Sequence, residues 1–240
     1  MSLDFVAVDF ETWNNNMDSM CQFGLVKVVD GKVVDSLCRL VRPLIVAGPS
    51  NKMMVKKNGG IDEDAVAGEE PFGRLFDLFV RFCDRMPLVA HNVSFDRTVL
   101  KQTCWGFNLP IPHYTWFDSL FLSREFNDGL GGDGLKEVAK RLGLPDFDHH
   151  HADADALTCA GIVIEYARRN GCDNLDGLVS LAPSFRSPHD SPDGEGFDKW
   201  ARARDLPCMV EMTRYAYGYE SNANAGWYGQ TFDPADLPER

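Results

Sequence analysis

Apolar and β-branched residues run without a break from Phe5 to Val8, and the alternating close Asp9, Phe10, Glu11, Thr12 completes one segment. A run of this kind predicts a strand covered on both faces. Gly24–Val29 and Lys32–Val41 are two further β-branched segments, and the Asp30-Gly31 pair between them predicts an antiparallel hairpin. From Arg42 to Glu70 no period holds, and Gly48-Pro49, Gly59-Gly60 and several lysines mark a loop. Phe72, Leu75, Phe76, Phe79, Val80 and Cys83 then fall at i, i+3, i+4, i+7, i+8 and i+11, one face of an amphipathic helix that lies on the sheet. Pro87 ends that helix, and Leu88-Val89-Ala90 predicts a short buried strand. Ser94–Cys104 predicts a helix with Phe95, Val99 and Thr103 on one side, and the apolar stretch Trp116–Phe126 reads as another. Leu135, Val138, Ala139 and Leu142 form a shorter stripe stopped by Gly143 and Pro145. Ala156, Cys159, Ala160, Val163, Ile164 and Ala167 repeat the six-position helical template, closed by Arg168, Arg169 and Gly171.

Strands and covering helices in this order predict an α/β protein. At 240 residues and 44% hydrophobic content the chain is long enough for one sizeable core plus an appendage. Residues 1–172 read as one domain and 173–240 as a C-terminal extension, because Pro183, Pro188, Pro192, Pro207, Pro234 and Pro238 break any long element there. The extension holds Phe185, Phe197, Trp200, Tyr215, Tyr217, Tyr219, Trp227, Tyr228 and Phe232, too many aromatics for simple disorder, and is expected to pack on the core. No apolar run approaches the ~20 residues of a membrane span and no signal peptide opens the chain, so a soluble, cytoplasmic protein is expected. The seven cysteines are scattered without a C-x-x-C pair, which argues for free thiols over a disulfide framework or zinc knuckle. A net charge of −12 repels the phosphate backbone at long range, which argues against a broad duplex-binding surface, while a site that grips a strand end through bound cations is allowed.

The chemistry lies at the ends of the predicted elements. At period 2, Asp9 and Glu11 share one side of their strand, and two carboxylates held that close repel each other unless a cation lies between them. Hard divalent cations such as Mg²⁺ take oxygen ligands of this kind. Asp96 falls in the first turn of its helix, where an acid either stabilises the helix dipole or faces back over the strand end. His149, His150 and His151 sit among Asp146, Asp148, Asp153 and Asp155 at the start of a core-packed helix, a rigid base from which to present ligands. A zinc hydrolase built on the three histidines is disfavoured, since no H-E-x-x-H helix or clustered cysteines accompany them.

Together FVAVDFET, VAHNVSFD and HHADADA resemble the three motifs of the DEDD exonuclease superfamily with histidine in the third motif, the group of the epsilon proofreading subunit of bacterial DNA polymerase III and ribonuclease T. The first motif falls on Asp9, Glu11 and Thr12, the second on His91, Asn92, Phe95 and Asp96, and the third on His150, Ala152, Asp155 and Ala156. The resemblance covers about residues 4–170 and implies a ribonuclease-H-like fold, a mixed five-stranded sheet flanked by helices. It implies two Mg²⁺ or Mn²⁺ ions held by Asp9, Glu11, Asp96 and Asp155, with His150 taking the proton from the attacking water. It places Thr12, the backbone at Phe10, and His91, Asn92 and Phe95 around the terminal nucleotide. The implied reaction is 3′–5′ hydrolysis of a single-stranded DNA or RNA 3′ end to nucleoside 5′-monophosphates, with DNA polymerase III subunits as implied protein partners. An RNA trimmer of the same group, and an end-binding subunit that keeps the fold without turnover, are the alternative readings. Competent residues at all five catalytic positions argue against the second. Many relatives carry His-Gly-Ile before the first covering helix, whereas this chain has Gly59-Gly60-Ile61, and the segment from 173 onward matches no pattern of the group.

Overall fold

Period-2 alternation divides strand β1 (Phe5–Thr12) between two cores, and the rest of the molecule is layered on that division. The computed structural model describes residues 2–44, 50, 52–109, 111–112, 114–127, 129 and 131–187. Val6, Val8 and Phe10 face a core closed by α3 (Phe72–Cys83) and α4 (Val93–Gly106). Phe5 and Ala7 face the other, closed by α5 (Ser119–Glu125), α6 (Leu135–Leu142), α7 (Ala152–Asn170) and α8 (Leu175–Leu181). The sheet has five strands in the order β3-β2-β1-β4-β5, with β2 at Met20–Val29, β3 at Lys32–Leu40, β4 at Leu88–Ala90 and β5 at Trp116–Asp118. The first three strands are antiparallel, joined on one side by the Asp30-Gly31 turn; β4 and β5 run parallel to β1. This is the mixed sheet expected of a ribonuclease-H-like fold.

Two segments differ from the sequence reading. Trp116–Phe126 is not one helix: Trp116, Phe117 and Asp118 pair in parallel with Leu88, Val89 and Ala90, and the chain turns helical only at Ser119. A short, wholly buried apolar run carries no period that separates a strand from a buried helix, so pairing decides. The Arg42–Glu70 loop contains two short helices, α1 (Lys52–Lys57) and α2 (Glu63–Val66). Each buries a single residue, Met54 and Val66, so neither leaves a hydrophobic stripe to read.

Beyond Gly171 the chain keeps contributing to the α7-side core. Leu175, Leu178, Ala182 and Phe185 are buried there, Phe185 lies 5.0 Å from the Phe117 ring, and the Ser187 N–H donates to the Trp116 carbonyl at 2.9 Å along the edge of β5. The remaining aromatics of the extension, from Phe197 onward, lie outside the described residues. Phe185 is fully buried, so Phe185→Ala is expected to cost about 3–5 kcal/mol in urea unfolding, the range for emptying a buried aromatic site. Six cysteines among the described residues are free thiols, and no helix among them is long and apolar enough to cross a membrane.

Candidate active site

Asp9 and Glu11 continue the face of β1 that carries Phe5 and Ala7, so they point toward α7. What brings α7 close enough is Gly24, which pairs with Asp9 across β1 and β2. A Cβ at Gly24 would overlap the Ala152 carbonyl, so only glycine lets the first turn of α7 rest on the strand. Gln22 completes the seat, its buried Oε1 accepting from the Ala152 N–H at 3.0 Å. Asp155, in that first turn and 2% exposed, thereby comes within 4.8 Å of Asp9 and Glu11 measured between ligand oxygens. Asp96 arrives from the opposite layer, where the first turn of α4 buries it and its Oδ1 accepts the Phe10 N–H at 3.1 Å.

Four carboxylates therefore converge from β1, α4 and α7, Asp96 and Asp155 buried and Asp9 and Glu11 half-buried. Burial, and then the charges of Asp96, Glu11 and Asp155, hold Asp9 well above the usual carboxylate range. Burial, then Asp155 and Asp96, push Glu11 to about 8, against a smaller downward pull from Lys57. Asp96 is likewise raised, chiefly by burial. An oxygen-only donor set with this unrelieved mutual repulsion fits hard divalent cations such as Mg²⁺ or Mn²⁺. Because the raised groups hold protons near pH 7 without a cation, binding must release them. Calorimetry at pH 7 in two buffers of different ionisation enthalpy is expected to show at least one proton released per protein on Mn²⁺ binding. The stability contribution of a raised carboxylate is present below its unfolded pKa and lost as pH rises through its folded one. Metal-free Tm should accordingly fall as pH rises from about 4.5 toward 8, and the stabilisation by Mn²⁺ should grow over the same window.

The three histidines divide. His150 donates its backbone N–H to Asp155 Oδ2 at 3.0 Å, and its ring lies over that of His149, 3.9 Å between centroids and 26° from parallel. Ring nitrogens of His149 and His150 and an oxygen of Asp155 all lie within 4.8 Å of one another. Burial and the neighbouring His149 lower the His150 pKa below its ordinary value, which favours the neutral, proton-accepting ring. His149 takes the more direct contact, Nδ1 to Asp155 Oδ1 at 2.7 Å, a role the motif pattern does not show. His151 turns away, its nearest carboxylate being the exposed Asp148 at 3.5 Å.

Of the residues expected around a terminal nucleotide, Phe10 is a core side chain stacked on Phe79, and its N–H is already bound by Asp96. Thr12 is buried at the strand end with its carbonyl accepting from Asn58 Nδ2 at 3.4 Å. His91 is held at both ring nitrogens, Nε2 donating to the Asp133 carbonyl at 2.8 Å and Nδ1 against Ser119 Oγ at 2.9 Å. Burial lowers its pKa. Asn92 is exposed in a left-handed conformation before α4, its side chain accepting from Ser94 Oγ, and Phe95 is partly buried against the core. Asp118 was missed by sequence reasoning because it ends a strand hidden inside an apolar run. Its buried carboxylate accepts the N–H groups of Asn92, Val93 and Leu120, all at 3.0 Å, and so fixes the turn that presents Asp96.

A mixed five-stranded sheet with carboxylates gathered at the end of its first strand defines a nuclease-like architecture of the ribonuclease-H type. The chain belongs to the exonuclease family, whose model matches residues 6–163. It is 31% identical over 164 residues to a PolC-type DNA polymerase III of Caldanaerobacter subterraneus subsp. tengcongensis, and 27% identical over 164 residues to the 3′-5′ exonuclease DinG of Bacillus subtilis. These matches take in 68% and 67% of this chain but only 11% and 17% of the two relatives. Among solved structures, exonuclease X in complex with 5′ overhanging duplex DNA superposes with a TM-score of 0.58 at 24% identity, covering 74% of this chain and 99% of that one. The nuclease domain of 3′hExo, a DEDDh family member bound to rAMP, superposes at 0.60 with 18% identity over 72% of this chain and 94% of that one.

Proposed function

We propose that this chain is a metal-dependent 3′–5′ exonuclease that hydrolyses single-stranded nucleic acid ends, DNA in preference to RNA, to nucleoside 5′-monophosphates. The observation that carries the reading is the convergence of Asp9, Glu11, Asp96 and Asp155 at one strand end with the ring of His150 beside Asp155. Asp9 would be the ligand shared by two Mg²⁺ or Mn²⁺ ions, with Glu11 and Asp155 at one and Asp96 at the other. Such ions supply activation of water and neutralisation of the charge growing on the phosphoryl oxygens.

The protein's own part is positional and proton-handling. As water oxygen forms its bond to phosphorus and the bond to the 3′ oxygen breaks, His150 accepts the water proton; the departing oxygen is protonated from solvent. The lowered His150 pKa keeps that ring neutral at physiological pH. Asp118 and Gln22 hold the Asp96 and Asp155 turns in register, so the four carboxylates need not reorganise as charge develops. A DNA preference is supported by the PolC-type DNA polymerase III relatives, and polymerase III subunits are the partners that the same likeness proposes.

Incubation of 5′-labelled single-stranded DNA and RNA with the protein and Mn²⁺, with the shortening products resolved by length and the released nucleotides identified by chromatography, tests the reading. Monophosphates released stepwise from DNA, faster than from RNA and abolished by EDTA, are the expected result. Faster release from RNA would make it an RNA trimmer, and tight end binding without release would make it a non-catalytic subunit.

A further inference from the structure

Gly59 and His150 lie far apart in sequence, yet their backbones meet. Gly59 belongs to the turn after α1, and that turn is held at both ends. Asn58, fully buried, reaches from Nδ2 to the Thr12 carbonyl at the end of β1, and the Gly60 N–H donates to the Val55 carbonyl at 2.7 Å. Ile61, just beyond, is buried with Trp13 and Cys21. Gly59 itself has φ +73, and a Cβ there would overlap the carbonyl oxygen of His150 and stand 3.2 Å from both the His150 carbonyl carbon and His151 Cε1. Gly60, with φ +90, has nothing within reach of a Cβ.

His150 is one of the few non-glycine residues with positive φ, at 71°. That region is sparsely populated by non-glycine residues, so the contacts on either side of the His150 peptide bear on how it is held. Two contacts do so: Asp155 Oδ2 on its N–H, and the Gly59 turn closed on its carbonyl. The peptide that carries the ring is thus clamped from both sides, one jaw provided by a carboxylate of the site and the other by a turn anchored to the same strand end as Asp9 and Glu11.

We propose that Gly59 is a positioning residue for His150: lacking a side chain, it lets the Asn58–Gly60 turn seat the His150 peptide and so aim the imidazole. The inference rests on the nuclease reading above, and it gives Gly59 a role in proton transfer.

Steady-state kinetics of Gly59→Ala and Gly60→Ala on single-stranded DNA with saturating Mn²⁺ test it, together with amide hydrogen exchange at His150. Both substitutions place a side chain at positive φ, +73 and +90, but only the first meets the His150 carbonyl. Gly59→Ala is expected to lower kcat about 10- to 100-fold with KM within about threefold, as misplacement of a reacting group by about 1 Å does. It should also speed exchange of the His150 amide at least about tenfold, while Gly60→Ala leaves both readouts near wild type. In a His150→Ala background, Gly59→Ala should change kcat by less than about twofold, since two residues acting through one step are not additive. A raised KM with unchanged kcat, additive losses in the double variant, or a His150 amide still protected in Gly59→Ala would overturn the proposal. Should wild type release no monophosphates, the nuclease reading fails on its own, and the amide exchange still decides whether Gly59 seats His150. If Gly59→Ala does not fold by circular dichroism, the same readouts on Asn58→Ala, which frees the turn from Thr12, carry the same expectations.

Discussion

Asp9→Asn is expected to abolish turnover in both Mg²⁺ and Mn²⁺ while leaving the metal-free protein at least as stable as wild type. The two halves follow from one observation. Asp9 is held far above the usual carboxylate range by burial and by Asp96, Glu11 and Asp155, so its ionised form is unfavourable until cations compensate it. Asparagine keeps the shape of the strand end and removes a charge that the fold must otherwise accommodate. In EDTA the advantage of the variant should grow as pH rises above the ordinary carboxylate range toward 8, because Asp9 must either keep a proton that the unfolded chain gives up or ionise beside Asp96, Glu11 and Asp155, and asparagine does neither. With cations present the order should reverse: wild type gains the binding free energy and the variant, lacking the proposed shared ligand, gains little. Activity should fall by well over about a hundredfold, and more than about a tenth of the wild-type rate in either metal would remove Asp9 from the shared position. Urea unfolding with and without Mn²⁺ at pH 5 and pH 8, beside the rate measurement, checks both halves. Loss of stability in EDTA at pH 8 would mean that Asp9 supports the fold, and the electrostatic account would fail.

Such a trade of stability for function marks the part of the molecule that the sequence displayed most openly. β1 was legible because four apolar residues precede Asp9, and α3 because Phe72, Leu75, Phe76, Phe79, Val80 and Cys83 keep helical spacing without exception. β5 was not, since three buried residues carry no period and the strand exists only through its pairing with β4. The candidate carboxylates were legible as motifs, yet two features that place them were silent. Gly24 reads as an unremarkable residue in a hairpin strand, and its meaning appears only when the Ala152 carbonyl is found against it. The bond from His149 to Asp155 is silent for a related reason: adjacent histidines in a loop offer no periodicity, and the left-handed turn at His150 decides which ring faces which oxygen.

That turn sharpens the expectation for the histidines. His150→Ala should lose about 10²- to 10⁴-fold in kcat at saturating metal, the contribution of a general base, with little change in metal or oligonucleotide affinity. His151→Ala should stay within about threefold, because its ring meets only an exposed carboxylate. His149→Ala falls between them, and by a different route. Its Nδ1 lies 2.7 Å from Asp155 Oδ1, so removing it should loosen the proposed ligand Asp155 while leaving the proposed base His150 in place. Supporting bonds of this kind are worth about 10- to 100-fold in metal affinity, so His149→Ala should need that much more Mn²⁺ and recover near wild-type kcat once saturated. Excess Mn²⁺ should not rescue His150→Ala. The pH profile supplies a second separation. Wild-type kcat should rise as the His150 ring loses its proton and then level off, with a midpoint below the ordinary imidazole value of about 6.5, since burial and His149 both disfavour the charged ring. At limiting Mn²⁺ the midpoint of the rate should move upward toward 8, because protons on Glu11 then compete with the cation. A His149→Ala enzyme that stays crippled at every Mn²⁺ concentration, beside an active His150→Ala, would transfer the role of base from His150 to His149.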